Sequence, residues 1–162
     1  MSGQRIIDKL REASVRYGAW AAVPELLDET VGIHVAVMRE PFLSFLFDGS
    51  KTVESRFSKN SITPYRRIAV GDLVCLKAGP VVGSFRASST EFVALNDAEF
   101  ERLRRDYRAA ICAHDERFWA ARADKRYTTL VGVEDVRRLT PVPISKRDRR
   151  GWMTLRTPVT PT

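Results

Sequence analysis

Apolar positions recur along this chain at two periods, and each change of period marks the end of an element. Over residues 4–17, Ile6 or Ile7, Leu10, Ala13 and Tyr17 fall on one stripe, which predicts an amphipathic helix ended by Gly18. Residues 19–23 are an apolar connection, and Pro24 opens a short helix through Leu26 and Leu27. Residues 33–38 are apolar and β-branched and predict the first strand. Pro41 then leads two apolar helical turns, with Pro41 at the first helical position and Gly49 just past the end. From Lys51 the period drops to two. Lys51, Val53, Ser55 and Phe57 are expected on one side of a strand, and Thr52, Glu54 and Arg56 on the other, with Glu54 and Arg56 about 7 Å apart.

The second half repeats this grammar. Gly71 and Asp72 form a turn into a strand at 73–77, and Gly79 and Pro80 turn the chain into a second strand at 81–85, so the two predict a hairpin. Residues 86–95 stay extended, with a bulge or bend expected at Ser88, Ser89 and Thr90. Asn96 and Glu99 have the spacing of a helix cap, and Phe100, Leu103, Tyr107 and Ile111 keep one face of the helix apolar. A shorter helix at 115–123 carries Phe118 and Trp119. A strand follows at 127–133 and 135–139 extends it; Pro141 and Pro143 are expected to break the sheet, and 152–155 is the last strand. Short strands with helices gathered between them predict an α+β chain, a small β-barrel with helical insertions rather than a parallel sheet.

Composition narrows the function classes. At 162 residues with 44% hydrophobic side chains, the chain is expected to be one domain with a real core. Cys75 and Cys112 lie in apolar runs without partners at metal-ligand spacing, which predicts buried free thiols and neither a disulfide framework nor a metal site. His34 sits inside the first predicted strand and is expected to be a satisfied core histidine. The N-terminus lacks a hydrophobic signal core and no run of about 18 apolar residues occurs, so a soluble cytoplasmic protein with no membrane partner is expected.

Charge adds a preferred partner. The net charge is +7, from 27 bases against 20 acids. Residues 56–67 hold Arg56, Lys59, Arg66 and Arg67 with no acid, and residues 137–150 hold six bases against Asp148 alone. Two basic connecting segments suit a polyanion, so Arg66, Arg67, Lys146, Arg147, Arg149 and Arg150 are expected to engage phosphates. Tyr65, set among the first of these segments, is a candidate either to cover the core or to stack on a base. Arg102, Arg104, Arg105 and Arg108 alternate with acids on the long helix and are expected to be ion-paired.

Lys51 offers a cation for phosphate or carbonyl oxygen, Glu54 an acceptor for an exocyclic amine, and Arg56 a planar bidentate donor; Arg39 at the end of the first strand reaches the same cleft. The segment Gly49-x-Lys51-x-x-Glu54-x-Arg56 follows a Pro-led helix and precedes Val70-Gly71-Asp72-Leu73-Val74. With Arg149-Arg150-Gly151-Trp152 near the C-terminus, it resembles the ASCH domain, a branch of the PUA-like superfamily, from about Ile33 to Leu155.

That resemblance implies a PUA-like barrel over residues 33–157; the N-terminal helical extension at 1–32 lies outside it and is expected to pack as a helical pair on the domain's flank, and the Pro-rich, polar tail at 158–162 is expected to be flexible. The resemblance also implies an RNA-related role with no cofactor, the partner being single-stranded or modified RNA or a nucleotide. Some similar proteins are amidohydrolases of acylated cytidine and others ribonucleases, which makes a metal-independent hydrolase using Lys51 and Glu54 the alternative. The amidohydrolase pattern has a threonine three residues after the motif lysine, where this chain has Glu54. A third expectation is a protein partner docked on the N-terminal helices, which an exposed Trp20 would favour.

Overall fold

The computed structural model describes residues 2–145 and 150–158. Helix α1 (Gly3–Arg16) starts at Ser2, whose hydroxyl accepts the Arg5 N–H, and buries Ile6, Ile7, Leu10 and Ala13. A short α2 (Gly18–Ala21) and a 3₁₀ turn (Pro24–Leu27) follow. Then come β1 (Ile33–Val37), α3 (Phe42–Phe47) and β2 (Val53–Ser58). The hairpin pairs β3 (Leu73–Lys77) with β4 (Val81–Ala94). Helices α4 (Asp97–Ile111) and α5 (Glu116–Ala120) lead to β5 (Tyr127–Val142) and β6 (Trp152–Arg156).

The six strands form one sheet in the order β2-β5-β4-β3-β1-β6. Among the described residues, its only parallel pair is β1 with β3. These two central strands are buried on both faces, as parallel neighbours usually are. Ile33, Val35, Leu73 and Cys75 face the N-terminal helices, while Ala36, Val74 and Leu76 face the interior under α3. A third cluster joins α4 and α5 to the far ends of β4 and β5 through Leu103, Ile111, Trp119, Val93 and Leu130.

The extended run at 86–95 continues the strand from 81–85, and 135–139 extends 127–133, as expected; register shifts in β4 against β5 let the two long strands bend without stopping. Pro141 does not break the sheet; β5 continues to Val142, which pairs with Val81. Trp20 is fully buried and its Nε1–H donates to Thr140 O at 2.7 Å, so the N-terminal helices pack on the domain as expected and present no exposed indole that would favour docking. The N-terminal helices share a core with β1 and β3, and Arg156 of β6 fastens the following loop by donating to the carbonyls of Glu25, Asp28 and Val31.

A curled sheet accounts for the position of Arg56. Strands β2 and β6 stand at opposite ends of the strand order, yet Arg56 on β2 donates to Val37 O at 3.0 Å and to Gly151 O, next to β6, at 3.2 Å. One side chain spans the two ends only if the sheet curls back toward itself as a half-barrel. The seam between those ends is where the candidate site lies.

Beneath the seam is a sealed polar cluster. His34 is buried; Trp152 Nε1, which can only donate, donates to His34 Nδ1 at 3.1 Å, so the ring proton sits on Nε2 and donates to Asp72 at 2.8 Å. Asp72 also accepts from the N–H groups of Gly32 and Ala69. Gly32 leaves the room for this, since a Cβ there would stand 2.6 Å from Asp72 Oδ2. Burial pushes the Asp72 carboxyl up, but the hydrogen bonds from His34, Ala69 and Gly32 outweigh it and hold its pKa below the ordinary 3.8.

A carboxylate lowered on folding stabilises the native state above its unfolded pKa and loses that contribution as pH falls through the folded value. Asp72→Asn is therefore expected to cost about 2 kcal/mol at neutral pH and to flatten the fall in stability below about pH 4. Urea midpoints of both proteins across that range check this; parallel curves would remove Asp72 as the acid-sensitive group.

Candidate functional site: a cationic cleft at the sheet seam

The cleft forms where three segments meet: the end of β1 and start of α3, strand β2, and α5 with the turn after it. It encloses about 600 Å³ and is lined by five bases, Arg39, Lys51, Arg56, Arg122 and Lys125, against two acids, Glu40 and Glu54. Phe42, Phe57 and Phe118 supply its apolar wall. Among the described residues, no cluster of histidine, cysteine and carboxylate groups is placed to hold a metal ion. Nor is any helix among them long and apolar enough to cross a membrane.

Gly49 has φ 84°, which lets the chain leave α3 sharply. Lys51 is therefore not part of the strand, whose pairing begins at Val53. Strand parity does not apply to it, and it joins Glu54 and Arg56 on the cleft side instead of pointing away. Its backbone is fixed by Lys51 N–H to Phe45 O, and Thr52 bonds Ala110 and Val133. The ammonium donates to Ile111 O at 3.0 Å, capping the C-terminal end of α4, where the helix dipole favours a cation. It also lies 3.8 Å from Glu54 and 5.1 Å from the Phe42 ring centre.

This position makes Lys51 and Glu54 a floor and not an open lip, for they are only 2% and 5% exposed. Burial presses the Lys51 ammonium below its usual range, and Glu54 partly offsets the shift. Glu54 accepts the Ser55 N–H at 2.8 Å with one oxygen. Its other oxygen stands 3.7 Å from Arg56 and, among the described residues, has no hydrogen-bond partner. Arg56 itself is partly open, with its guanidinium 5.4 Å from the Trp152 ring centre.

The group absent from the sequence reading is Arg122. Its guanidinium lies 3.6 Å from the centre of the Phe118 ring and donates to Phe118 O. Burial and the charge of Arg56 both push the Arg122 pKa down, with Glu54 acting against them. Phe118 and Arg122 are four residues apart, the spacing at which helical side chains meet, and that was the available signal. Neither Arg39 nor Arg122 has a carboxylate at ion-pair distance among the described residues. The bases of α4 differ: Arg102 pairs with Glu91 and Glu99, Arg104 and Arg108 with Glu116, and Arg105 with Asp106.

The remaining expected residues that are described, Tyr65, Arg66, Arg67 and Arg150, do not line this cleft. Tyr65 is 8% exposed and packs edge-on against Phe92 and Tyr127, since its loop folds back over β4 and β5; with Arg66 and Arg67 it borders a separate depression. Arg150 lines a small hollow on the other side of Arg56, with Gly151 and Trp152. Lys146, Arg147 and Arg149, and residues 159–162 of the tail, lie outside the described residues. Cys75 is a buried free thiol whose pKa burial pushes up to about 12, and Cys112 is free and half-buried.

The protein is thus a mixed six-strand half-barrel of α+β class, with helices between its strands and a basic cleft at its seam. The comparisons agree on the fold. The chain is similar to the crystal structure of ASCH from Zymomonas mobilis, with a TM-score of 0.61, 15% identity, and 80% of this chain and 90% of that one covered. Two single-residue variants of that protein give TM-scores of 0.60 and 0.59, again at 15% identity and over 90% of their length, with 80% and 76% of this chain covered. No protein-family model and no curated protein sequence matches the chain. At this identity the likeness shows the ASCH fold, and function rests on the cleft.

Proposed function

We propose that the seam cleft binds RNA or a nucleotide-like ligand, with an anionic group set between Arg56 and Arg122 and a base against the Phe118 side of the wall. The observation that carries this reading is the pair of guanidiniums, Arg56 and Arg122, that line one cleft. The charge of Arg56 disfavours that of Arg122, and the floor carboxylate of Glu54 acts against it. A phosphate removes that cost and accepts planar donors from both. Arg39 and Lys125 add positive potential at the rim.

Arg122→Ala is expected to weaken binding of single-stranded RNA about 10-fold and to lower the steepness of its salt dependence, read by fluorescence anisotropy across a salt series. Unchanged affinity and slope would sink the reading.

A second reading is hydrolysis, with Lys51 as a general base. The downward pull on its ammonium favours it. Loss of intact RNA or of acylated cytidine in the same mixtures, abolished by Lys51→Met, would carry that reading, whereas binding without turnover leaves recognition alone.

A further inference from the structure

The depression around Tyr65 has a chemistry of its own. It encloses about 440 Å³ and is bordered by Ser61, Tyr65, Arg66, Arg67, Ala94 and Tyr127. Every polar side chain in that set carries a donor, and none is an acid. Among the described residues, neither Arg66 nor Arg67 has an ion-pair partner, in contrast to the arginines of α4. The loop that presents them is fixed by backbone bonds from Tyr65 N–H to Ile62 O and from Arg67 N–H to Pro64 O, at 2.9 and 2.8 Å. Tyr65, beneath Arg66, is held edge-on by Tyr127 with ring centres 4.9 Å apart. The donors are thus mounted on ordered backbone and a packed ring pair.

This depression continues the surface of the cleft. The cleft and the small hollow beyond Arg56 share Arg56, Phe57 and Gly151. That hollow and the Tyr65 depression are built on the same loop, which gives Ile62, Thr63 and Pro64 to one and Ser61, Tyr65, Arg66 and Arg67 to the other. Along the β2–β5 ladder, Arg56 pairs with Thr129 and Ser58 with Tyr127, so the two levels are about 7 Å apart.

We propose that the Tyr65 depression is a second anion subsite, which takes a backbone phosphate of a single-stranded nucleic acid whose neighbouring nucleotide occupies the cleft. The proposal rests on the cleft reading above and deepens it: the ligand is an oligonucleotide and not a mononucleotide. Single strands are specified because a base must leave its stack to enter the cleft.

The test compares two probes, uridine monophosphate and a uridine hexanucleotide, on the full chain and on an Arg66→Asn/Arg67→Ala variant. Asparagine is chosen at position 66 because Arg66 has φ 57°, a conformation it tolerates. The variant is expected to bind the hexanucleotide about 10-fold more weakly at about 0.1 M salt, with the salt slope reduced by about 0.7, while its monophosphate affinity stays the same.

An unchanged hexanucleotide affinity overturns the second subsite, and so does an equal loss for both probes. If the unmodified protein binds neither probe, the cleft reading falls as well. Hexanucleotide binding that is lost in Arg122→Ala but intact in the loop variant sinks the second subsite alone.

Discussion

Arg56→Ala is expected to weaken binding of a single-stranded RNA probe by at least about 30-fold and to lower the unfolding free energy by about 2–4 kcal/mol. Both effects come from one guanidinium. On the fold side, it ties β2 to the Val37 and Gly151 carbonyls across the seam and covers the Trp152 ring. Its removal leaves those acceptors without this donor and strips Glu54 of one of its two cationic neighbours. On the ligand side, it is half of the guanidinium pair that faces the cleft. Arg56→Lys separates the two roles. A point-like ammonium cannot serve both carbonyls and a phosphate, so part of the stability is expected to return while affinity stays at least about 10-fold down. Urea midpoints and anisotropy titrations on the same preparations check this. If Arg56→Ala unfolds at the wild-type midpoint and binds normally, the seam is not held by this residue and the site lies elsewhere.

The second large effect is expected far from the cleft. Trp20→Ala should cost about 3–5 kcal/mol, because a fully buried indole leaves a cavity and Thr140 O loses its donor. The unfolding transition is expected to shift as a whole. Ile6, Ile7, Leu10 and Leu26 pack in the same cluster as Ile33, Val35, Leu73 and Cys75, so the helices have no separate core to melt. Circular dichroism and tryptophan fluorescence should therefore report coincident transitions in both proteins. A loss below about 1 kcal/mol, or an early helical transition distinct from that of the sheet, would show the first thirty residues to be an appendage.

The residue pattern made the local elements legible. The stripe through Leu10 and Ala13 gave α1, and the Asn96–Glu99 spacing gave α4, where Asn96 accepts the Glu99 N–H at 2.8 Å. The alternation after Val53 gave β2, and Gly71 and Gly79, with φ 92° and 72°, sit at the turns where they were expected. His34 proved to be the satisfied core histidine its neighbours suggested. The ion pairing along α4 also followed from alternating charge. Each of these depends on residues within about one helical turn or one strand pair, so their physics is written in adjacent positions.

The candidate site was only half visible for the opposite reason. Lys51, Glu54 and Arg56 stood out because they are close in sequence, and the chain does bring them together at one cleft. Which of them is open was not legible. Lys51 turns inward because the end of α4, sixty residues later, offers it the Ile111 carbonyl. Arg122 lies far along the chain from that motif, and it is a cleft wall only because α5 packs Phe118 against Phe57 and Phe42. Tyr65 went to a different depression because its loop folds back over β4 and β5.

By itself, then, the sequence determined the elements, the mixed α+β class, and the concentration of positive charge in two connecting segments, since these depend on periodicity and composition. Tertiary structure alone decided that Arg56 bridges the seam, that Lys51 is a floor and Arg122 a wall, and that Trp20 belongs to the core. Those outcomes depend on contacts between segments about 20 to 120 residues apart, whose geometry is set by how the whole sheet curls, and no local pattern encodes that curvature.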